Sequence, residues 1–154
     1  MSTSLAADTP PATQVAYAAL ALRLALGVMF IAHALLKYFV FTLPGTAQFF
    51  DSLGLPPALA YPVFFAELIG GVLLLVGFRT RLVSLLLLPV LAGATWAHLG
   101  NGWLFSAPNG GWEYPAFLTL ATGVQALLGA GAFALGAART GRAQHADVAA
   151  AAVR

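Results

Sequence analysis

Cysteine is absent from this chain of 154 residues, and charged side chains are scarce. Without cysteine, the chain alone cannot form a disulfide, perform thiol catalysis, or hold zinc or an iron–sulfur cluster through sulfur ligands. Only 8% of its residues are charged, whereas about a quarter are charged in a typical soluble domain. The hydrophobic share is 60% and the mean hydropathy is +0.88. This composition predicts an integral membrane protein, in which redox chemistry would depend on a bound cofactor, a quinone or a partner.

The basic residues are few, and they flank apolar segments. The net charge of +2 and the isoelectric point near 9.4 also occur among proteins that bind nucleic acid. Such proteins, however, cluster lysine and arginine with aromatic residues on one face. We therefore exclude nucleic acid as a partner and expect the lipid bilayer instead.

Four apolar segments are close to the length of about 20 residues that crosses the hydrocarbon of a bilayer. These predicted spans cover residues 15–36, 58–78, 82–99 and 114–138. A polar leader, residues 1–14, lacks the basic start of a secretory signal, and a basic tail covers residues 139–154. The sequence thus predicts an all-α membrane protein, with one four-helix transmembrane domain between a disordered leader and a cytoplasmic tail.

The arginines indicate how this domain is oriented. Arg79 and Arg81 lie between the second and third spans, and three more arginines follow the fourth span. By the positive-inside rule, both termini are predicted to be cytoplasmic. The first outer loop, residues 38–57, is rich in phenylalanine and contains glycine and proline that interrupt any continuous helix. We expect an interfacial, partly re-entrant segment there.

Two charged residues, Arg23 and Glu67, lie inside predicted spans. A charge in hydrocarbon is costly, so each should face the interior of the bundle and find a partner. At 1.5 Å per residue, Glu67 lies about 14 Å below the outer boundary and Arg23 about 12 Å above the inner one. In a core of about 30 Å their depths differ by only a few Å. We therefore predict an Arg23–Glu67 ion pair, which could be either a structural clamp or a functional site.

A second group of polar and aromatic residues falls near the outer boundary, on three different helix ends. It consists of His33, Lys37, His98, Trp112, Glu113 and Tyr114. We predict that these six residues form a quinone-binding pocket, in which an imidazole bonds a carbonyl group and a carboxylate exchanges the accompanying proton. Glu67, Arg23, His33 and His98 are the candidate catalytic residues. Each member also has a plainer interpretation as a snorkelling, interfacial or helix-end residue.

The order of these residues resembles a known family. The chain contains Arg23-x3-Gly27-x2-Phe30-x2-His33-x3-Lys37, then Glu67-x2-Gly70-Gly71-x5-Gly77-x-Arg79, then His98, then Gly111-Trp-Glu-Tyr-Pro115 and Gly129-Ala-Gly131. Over about residues 18–136 this pattern resembles the DoxX family of small four-helix bacterial membrane proteins. The resemblance implies a multi-pass protein of the bacterial cytoplasmic (inner) membrane. It also implies a link to thiosulfate:quinone oxidoreduction or to oxidative and thiol stress, as in some relatives.

The favoured function is therefore that of a subunit in a quinone-linked redox system, or in a system that responds to oxidative or sulfur stress. Two alternatives stay open: a non-catalytic anchor for a soluble redox partner, and a small proton-coupled carrier with Glu67 as its coupling site. A soluble or membrane redox partner and a homo-oligomer are both compatible with the sequence. No metal site is expected, because a haem between His33 and His98 would need both of these imidazoles inward at one depth.

Overall fold

A computed structural model describes residues 10–135, and this part of the chain is helical between its turns. Within it the α-helices are α1 Ala12–Phe39, α2 Leu43–Ser52, α3 Ala60–Val76, α4 Thr80–His98 and α5 Glu113–Leu128. A 3-10 turn, Pro57–Leu59, precedes α3, and another, Leu99–Asn101, follows α4. Residues 10–135 contain no β-strand, so the prediction of an all-α fold is confirmed. The predicted tail and most of the predicted leader lie outside the described residues.

Three helical segments are long and apolar enough to cross a membrane. They are Ala12–Phe39, Pro57–Val76 and Thr80–Asn101, and they coincide with the first three predicted spans. Their outward faces carry large apolar side chains such as Val28, Phe65 and Leu86, which are 56%, 52% and 66% exposed. A soluble monomer rarely exposes so much apolar surface. These faces suit contact with lipid.

The helix in the fourth predicted span, α5, is shorter than that span. We expected a helix over residues 114–138, but α5 ends at Leu128 after 16 residues. Gly129 and Gly131 then adopt φ angles of 83° and 69°, which favour glycine and end the helix. The side chain of Gln125 donates from Nε2 to the Gly129 carbonyl at 2.6 Å. The apolar composition conceals this turn, because glycine and alanine are also common within packed membrane helices.

The segment after α5, residues 129–135, folds back over the ends of α1 and α3. Ala132 N donates to the carbonyl of Ala16 at 3.0 Å, and Leu135 N donates to that of Val76 at 3.1 Å. These bonds attach the end of α5 to both helices.

A short helix, α2, occupies part of the predicted re-entrant loop. We expected glycine and proline to interrupt any continuous helix over residues 38–57. Pro44 lies in the first turn of α2, where a missing N–H costs no hydrogen bond. The hydroxyl of Thr42 accepts from Gly45 N at 3.2 Å and caps the helix. The segment is therefore helical over part of its length, and its interfacial, partly re-entrant position stays a prediction.

The other helices pack in a ring, in which α1 and α4 each contact both α3 and α5. Successive helices of the ring run in opposite directions, so the bundle has two ends. The turn between α3 and α4, with Arg79 and Arg81, lies at the end that we call the arginine end. The connector between α4 and α5, with Trp103 and Trp112, lies at the opposite end, which we call the aromatic end.

Two glycines set the register of α1 against α3. A Cβ atom on Gly71 would lie 2.9 Å from the carbonyl oxygen of Gly27, and one on Gly27 would lie 3.0 Å from that of Gly71. Because a side chain at either position would push the backbones apart, this contact requires glycine. Gly27 and Gly71 therefore share one depth, from which the depths of the charged residues on both helices follow.

Candidate functional site

Glu67 forms an ion pair with Lys37. Lys37 Nζ lies 2.7 Å from Oε2 and 2.9 Å from Oε1 of Glu67. The side chain of Lys37 is 18% exposed and that of Glu67 is 7% exposed, so the pair is largely buried within the bundle. Both carboxylate oxygens bond the same ammonium group, which is an arrangement typical of strong, charge-assisted hydrogen bonds. The predicted Arg23–Glu67 pair is wrong, because Lys37 takes the place that we assigned to Arg23.

The register of α1 and α3 explains this difference. Arg23 precedes Gly27 by four residues and Glu67 precedes Gly71 by four, in antiparallel helices that meet at these glycines. The two charges therefore lie about 12 Å apart along the bundle. The Cα–Cβ bonds of a helix tilt toward its N-terminus, so Glu67 leans toward Lys37 and Lys37 leans back, while Arg23 leans away. Our depth estimate assumed that both helices end at the same levels, but α1 extends well past α3 at the arginine end.

Arg23 is instead buried at the C-terminus of α3. It is 1% exposed, and its Nη2 donates to the Ala132 carbonyl at 3.2 Å. Its Nε and Nη1 have no hydrogen-bond partner within residues 10–135. Gly77, with a φ of 72°, ends α3 beside the guanidinium group, and a Cβ there would collide with Nη1. The charge thus faces the negative end of the α3 dipole in place of a carboxylate.

His33 stacks on Tyr114 where α1 meets α5. The ring centroids are 5.8 Å apart and the planes differ by 23°. His33 Nδ1 lies 2.7 Å from the Met29 carbonyl; because a carbonyl oxygen only accepts, Nδ1 carries a proton and donates it to this bond. Lys37 follows His33 by one helical turn. We call His33, Lys37, Glu67 and Tyr114 the polar cluster.

A cleft of about 370 Å³ opens beside Tyr114 at the aromatic end. Its lining residues are Trp103, Phe105, Glu113, Tyr114 and Phe117. Tyr114 therefore contacts His33 of the polar cluster on one side and lines this cleft on the other. Pockets for small molecules usually measure about 300–1,000 Å³, so the cleft is large enough for one small ring.

Hydrogen bonds hold the connector that forms one wall of the cleft. Glu113 Oε1 accepts from Phe105 N at 2.9 Å, and Glu113 N donates to the Trp103 carbonyl at 3.1 Å. Gly111 is buried where a Cβ atom would collide with the Leu104 carbonyl. Trp103 packs edge-on against Trp112, with centroids 4.6 Å apart. The carboxylate of Glu113 thus shapes the cleft as well as lining it.

His98 makes its contacts elsewhere. Its Nδ1 lies 2.8 Å from the Ala94 carbonyl in its own helix, and a Cβ on Gly110 would lie 3.3 Å from its Cδ2. Six residues were predicted to converge. Among them, His33 stacks on Tyr114, Lys37 pairs with Glu67, and Glu113 lines the neighbouring cleft. His98 and Trp112 contact the α4–α5 connector. No group of three or more histidines and carboxylates that could hold a metal occurs in the part of the chain that the structure describes.

Three residues that line the cleft were not predicted from the sequence: Trp103, Phe105 and Phe117. Phe117 follows Tyr114 by three residues on α5, so helical spacing could have placed it on the same face. Trp103 and Phe105 lie in an irregular connector, where no periodicity indicates which side chains turn inward.

Comparisons with known proteins add an independent observation. The model of the DoxX family matches residues 18–100, which is more than half of the chain and runs from α1 to the end of α4. A curated protein of Bacillus subtilis (strain 168), named "Putative oxidoreductase CatD", is 45% identical over 75 residues. The aligned part is 49% of this chain and 54% of that protein, so the chain spans about half the length of the curated relative it matches. No solved structure gives a significant match.

Proposed function

This chain belongs to the DoxX family of membrane proteins, and from that premise we propose that it is a membrane subunit of a quinone-linked redox system. A relative named as an oxidoreductase supports the general class of chemistry. The observation that carries the proposal is the position of Tyr114, which stacks on His33 on one side and lines the cleft on the other. A ring bound in the cleft would lie directly beside groups that can hold and transfer protons.

The cleft suits a quinone head group, which is a flat ring with two carbonyl oxygens. Four of its five lining residues are aromatic, and aromatic side chains favour stacked or edge-on contact with another ring. The cleft lies at the end of the bundle, so an apolar tail on the ring could remain in the bilayer. Exposed Phe105 and Phe117, at 66% and 65%, offer that tail an apolar surface.

One hydrogen-bond donor beside the cleft is available for a carbonyl oxygen. The hydroxyl of Tyr114 is buried and has no hydrogen-bond partner within the described residues. An unpaired buried hydroxyl costs about 1–3 kcal/mol, and a bound carbonyl oxygen would remove that cost. In this proposal the Tyr114 hydroxyl gives its proton to the carbonyl oxygen. His33 takes up a proton on Nε2 from Lys37 and passes it to the Tyr114 oxygen, and Glu67 returns a proton to Lys37. Reduction of a quinone takes up two protons and two electrons, and the electrons come from a reducing partner of the system.

We also propose that α5 completes a four-span bundle in the bacterial cytoplasmic membrane. At 1.5 Å per residue α5 is about 24 Å long, somewhat less than the hydrocarbon core of about 30 Å. Its outward residues Phe117, Leu120 and Leu127 are 65–80% exposed and apolar, which suits lipid. Exposed Arg79 and Arg81 support a cytoplasmic arginine end. The cleft then opens toward the other face of the membrane.

The proposal is tested by titrating the purified protein with a short-chain quinone. Tyr114→Phe removes only the donor and should weaken binding about tenfold, which corresponds to about 1.4 kcal/mol. Tyr17→Phe is the matched control, because Tyr17 is 52% exposed and packs against Phe133 outside the cleft. Tyr17→Phe should bind as the unchanged protein does.

Absence of quinone binding to the folded protein would refute this function. The anchor function would then take its place, with the exposed Arg79 and Arg81 as the docking residues for a soluble partner.

A further inference from the structure

Buried polar atoms without hydrogen-bond partners line the interior of the bundle toward the arginine end. They belong to Thr80, Ser84, Thr122 and Gln125, each at most 2% exposed. Their Oγ1, Oγ, Oγ1 and Oε1 atoms, respectively, find no hydrogen-bond partner among the residues that the structure describes. Arg23 adds two unpaired nitrogens, Nε and Nη1, at the same end. Buried polar atoms are nearly always paired with protein or with bound water, so such a group needs an explanation.

Two other threonines of α4 and α5 provide a comparison. Thr95 Oγ1 donates to the Leu91 carbonyl at 2.9 Å, and Thr119 Oγ1 donates to the Pro115 carbonyl at 2.8 Å. These hydroxyls bond the carbonyl four residues earlier, which is the usual arrangement for threonine in a helix. Ser84 and Thr122 do not make this bond. Their hydroxyls are therefore free to bond a group inside the bundle.

Contacts between helices place these residues along the bundle axis. Thr95 meets Thr119, with their hydroxyl oxygens 3.3 Å apart, and Arg81 Nε would lie 3.0 Å from a Cβ on Gly129. Interpolation between these two contacts puts Leu87 level with Gln125. Ser84 and then Thr80 follow toward the arginine end, at steps of about 4.5 Å and 6 Å.

At the end of this series of polar residues away from Thr80, Thr122 lies at the depth of Glu67. A Cβ on Gly70 would lie 2.9 Å from Leu87 Cδ1, so Gly70 is level with Leu87 and Gln125. Glu67 lies three residues from Gly70 toward the aromatic end, and Thr122 lies three residues from Gln125 in the same direction. Glu67 and Thr122 therefore share a depth, and the polar residues cover the distance from there to the arginine end.

We propose that Arg23, Thr80, Ser84, Gln125 and Thr122 hold a chain of bound water molecules that connects the depth of Glu67 with the solution at the arginine end. Each hydroxyl can both donate to and accept from water, and successive residues differ in depth by about 4–6 Å, so the series follows the bundle axis without a long apolar interval. Arg23 lies at the entrance, where its unpaired N–H groups orient the first water and the α3 dipole offsets its charge.

The purpose assigned to this water chain rests on the proposed function, because quinone reduction at the aromatic end needs protons. Glu67 would exchange its proton through the water chain with the arginine end, while the ring occupies the cleft at the opposite end.

The absence of cysteine allows a direct test by single-cysteine substitution. Ser84→Cys changes one atom, and its thiol should react with Ag⁺, an ion about as small as water, when Ag⁺ is added at the arginine-end face of membrane vesicles. The reaction is followed as loss of maleimide labelling after unfolding. Val83→Cys is the matched control, because Val83 lies at the same depth and is 7% exposed but packs in the apolar core. We expect Ser84→Cys to react at least about tenfold faster.

Blocking the chain should slow this reaction. Adding Thr80→Val to Ser84→Cys removes a hydroxyl between Ser84 and the solution, so silver modification should slow several-fold. Equal rates for Ser84→Cys and Val83→Cys in folded protein, or faster entry from the aromatic end, would overturn the proposal.

A second measurement does not depend on access by an ion. If Thr122 bonds water, Thr122→Val should lower the melting temperature by more than Thr119→Val, whose hydroxyl bonds its own helix. A rise in melting temperature with Thr122→Val would show a dry hydroxyl and overturn the proposal. Neither measurement uses quinone, so a failed quinone titration together with rapid Ser84→Cys modification would refute only the redox function.

Discussion

Lys37 and Glu67 reach each other from different depths of the membrane. Each side chain leans toward the N-terminus of its own helix, and because α1 and α3 are antiparallel, the two lean toward one another. The same geometry separates Glu67 from Arg23. Substitutions of Glu67 and Lys37 should therefore have coupled effects on the free energy of unfolding, whereas substitutions of Glu67 and Arg23 should have independent effects.

A double-mutant cycle measures this coupling. Glu67→Gln leaves a largely buried ammonium group without its counter-charge and should lower the free energy of unfolding by about 2–3 kcal/mol, because the amide oxygen accepts a hydrogen bond but does not offset the desolvation cost of the charge. Lys37→Met combined with Glu67→Gln should recover at least about 1 kcal/mol. The measurement is reversible unfolding in detergent.

Arg23 provides the control for this cycle. Arg23→Leu and Glu67→Gln should be additive within about 0.5 kcal/mol, since residues about 12 Å apart without shared partners do not couple. A larger coupling for Arg23 than for Lys37 would contradict the ion pair seen here.

The two membrane histidines should differ in their effect on quinone binding. His33 stacks on Tyr114 beside the cleft, whereas His98 contacts Gly110 and bonds its own helix. We expect His33→Ala to raise the dissociation constant of a short-chain quinone about tenfold and His98→Ala to change it less than about twofold. The comparison requires only equilibrium titrations. The reverse ranking would move the binding site to the α4–α5 connector.

The sequence singled out the members of the polar cluster but not their partners. His33, Lys37, Glu67 and Tyr114 were all candidates, because ionisable and aromatic groups stand out in apolar helices, but Glu67 was assigned to a separate pair. The partner of Glu67 was wrong because the estimate fixed depth from helix ends. The direction of the Cα–Cβ bonds favours Lys37 and follows from the sequence, whereas the Gly27–Gly71 contact that fixes the register is visible only in the structure.

At the scale of helices, glycine positions decide which pairs can approach closely. A Cβ on Gly71 would lie 2.8 Å from Ile31 Cγ1 and 2.9 Å from the Gly27 carbonyl. Gly123 lies within α5 and a Cβ there would meet nothing within 4 Å. Both glycines lie inside helices, but Gly71 is packed against another helix and Gly123 has open space beside it.

This contrast gives a prediction for alanine substitutions. Gly71→Ala should lower the free energy of unfolding by about 1–3 kcal/mol, because it forces α1 away from α3. Gly123→Ala should be neutral or stabilising by up to about 1 kcal/mol, since alanine favours the helix and has room. Equal effects of the two substitutions on detergent unfolding would show that the α1–α3 contact is looser than the structure indicates.

Helix boundaries could be predicted where they depend on local signals and not where they depend on distant contacts. The first three spans follow from apolar length alone. The end of α5 at Leu128 depends on two glycines with positive φ and on bonds from residues 132 and 135 to α1 and α3. Such long-range bonds leave no periodic pattern in the sequence. The helix α2 was missed for the opposite reason, because Pro44 looks like an interruption but lies in a first turn.

At the scale of the whole molecule, the candidate site and the arginines lie at opposite ends of the bundle. The cleft and the ion pair lie toward the aromatic end, whereas Arg23 and the exposed Arg79 and Arg81 lie at the arginine end. A ring bound at one face and protons supplied from the other would give the bundle a direction. This direction exists only if α5 crosses the membrane and returns the chain to the arginine side.

Two exposed positions on either side of α5 test this arrangement. Ser106 lies in the α4–α5 connector, and Leu135 lies beyond α5 and is 67% exposed. With the arginine end in the cytoplasm, Ser106→Cys should react with a membrane-impermeant maleimide in intact cells, because the aromatic end faces outward. Leu135→Cys should react only after the membrane is permeabilised. Labelling of both in intact cells would mean that α5 does not span, and labelling of Leu135→Cys alone would mean that the bundle is inverted. With an inverted bundle, protons taken up at the arginine end would no longer come from the cytoplasm; with an α5 that does not span, the proposed four-span bundle would be refuted.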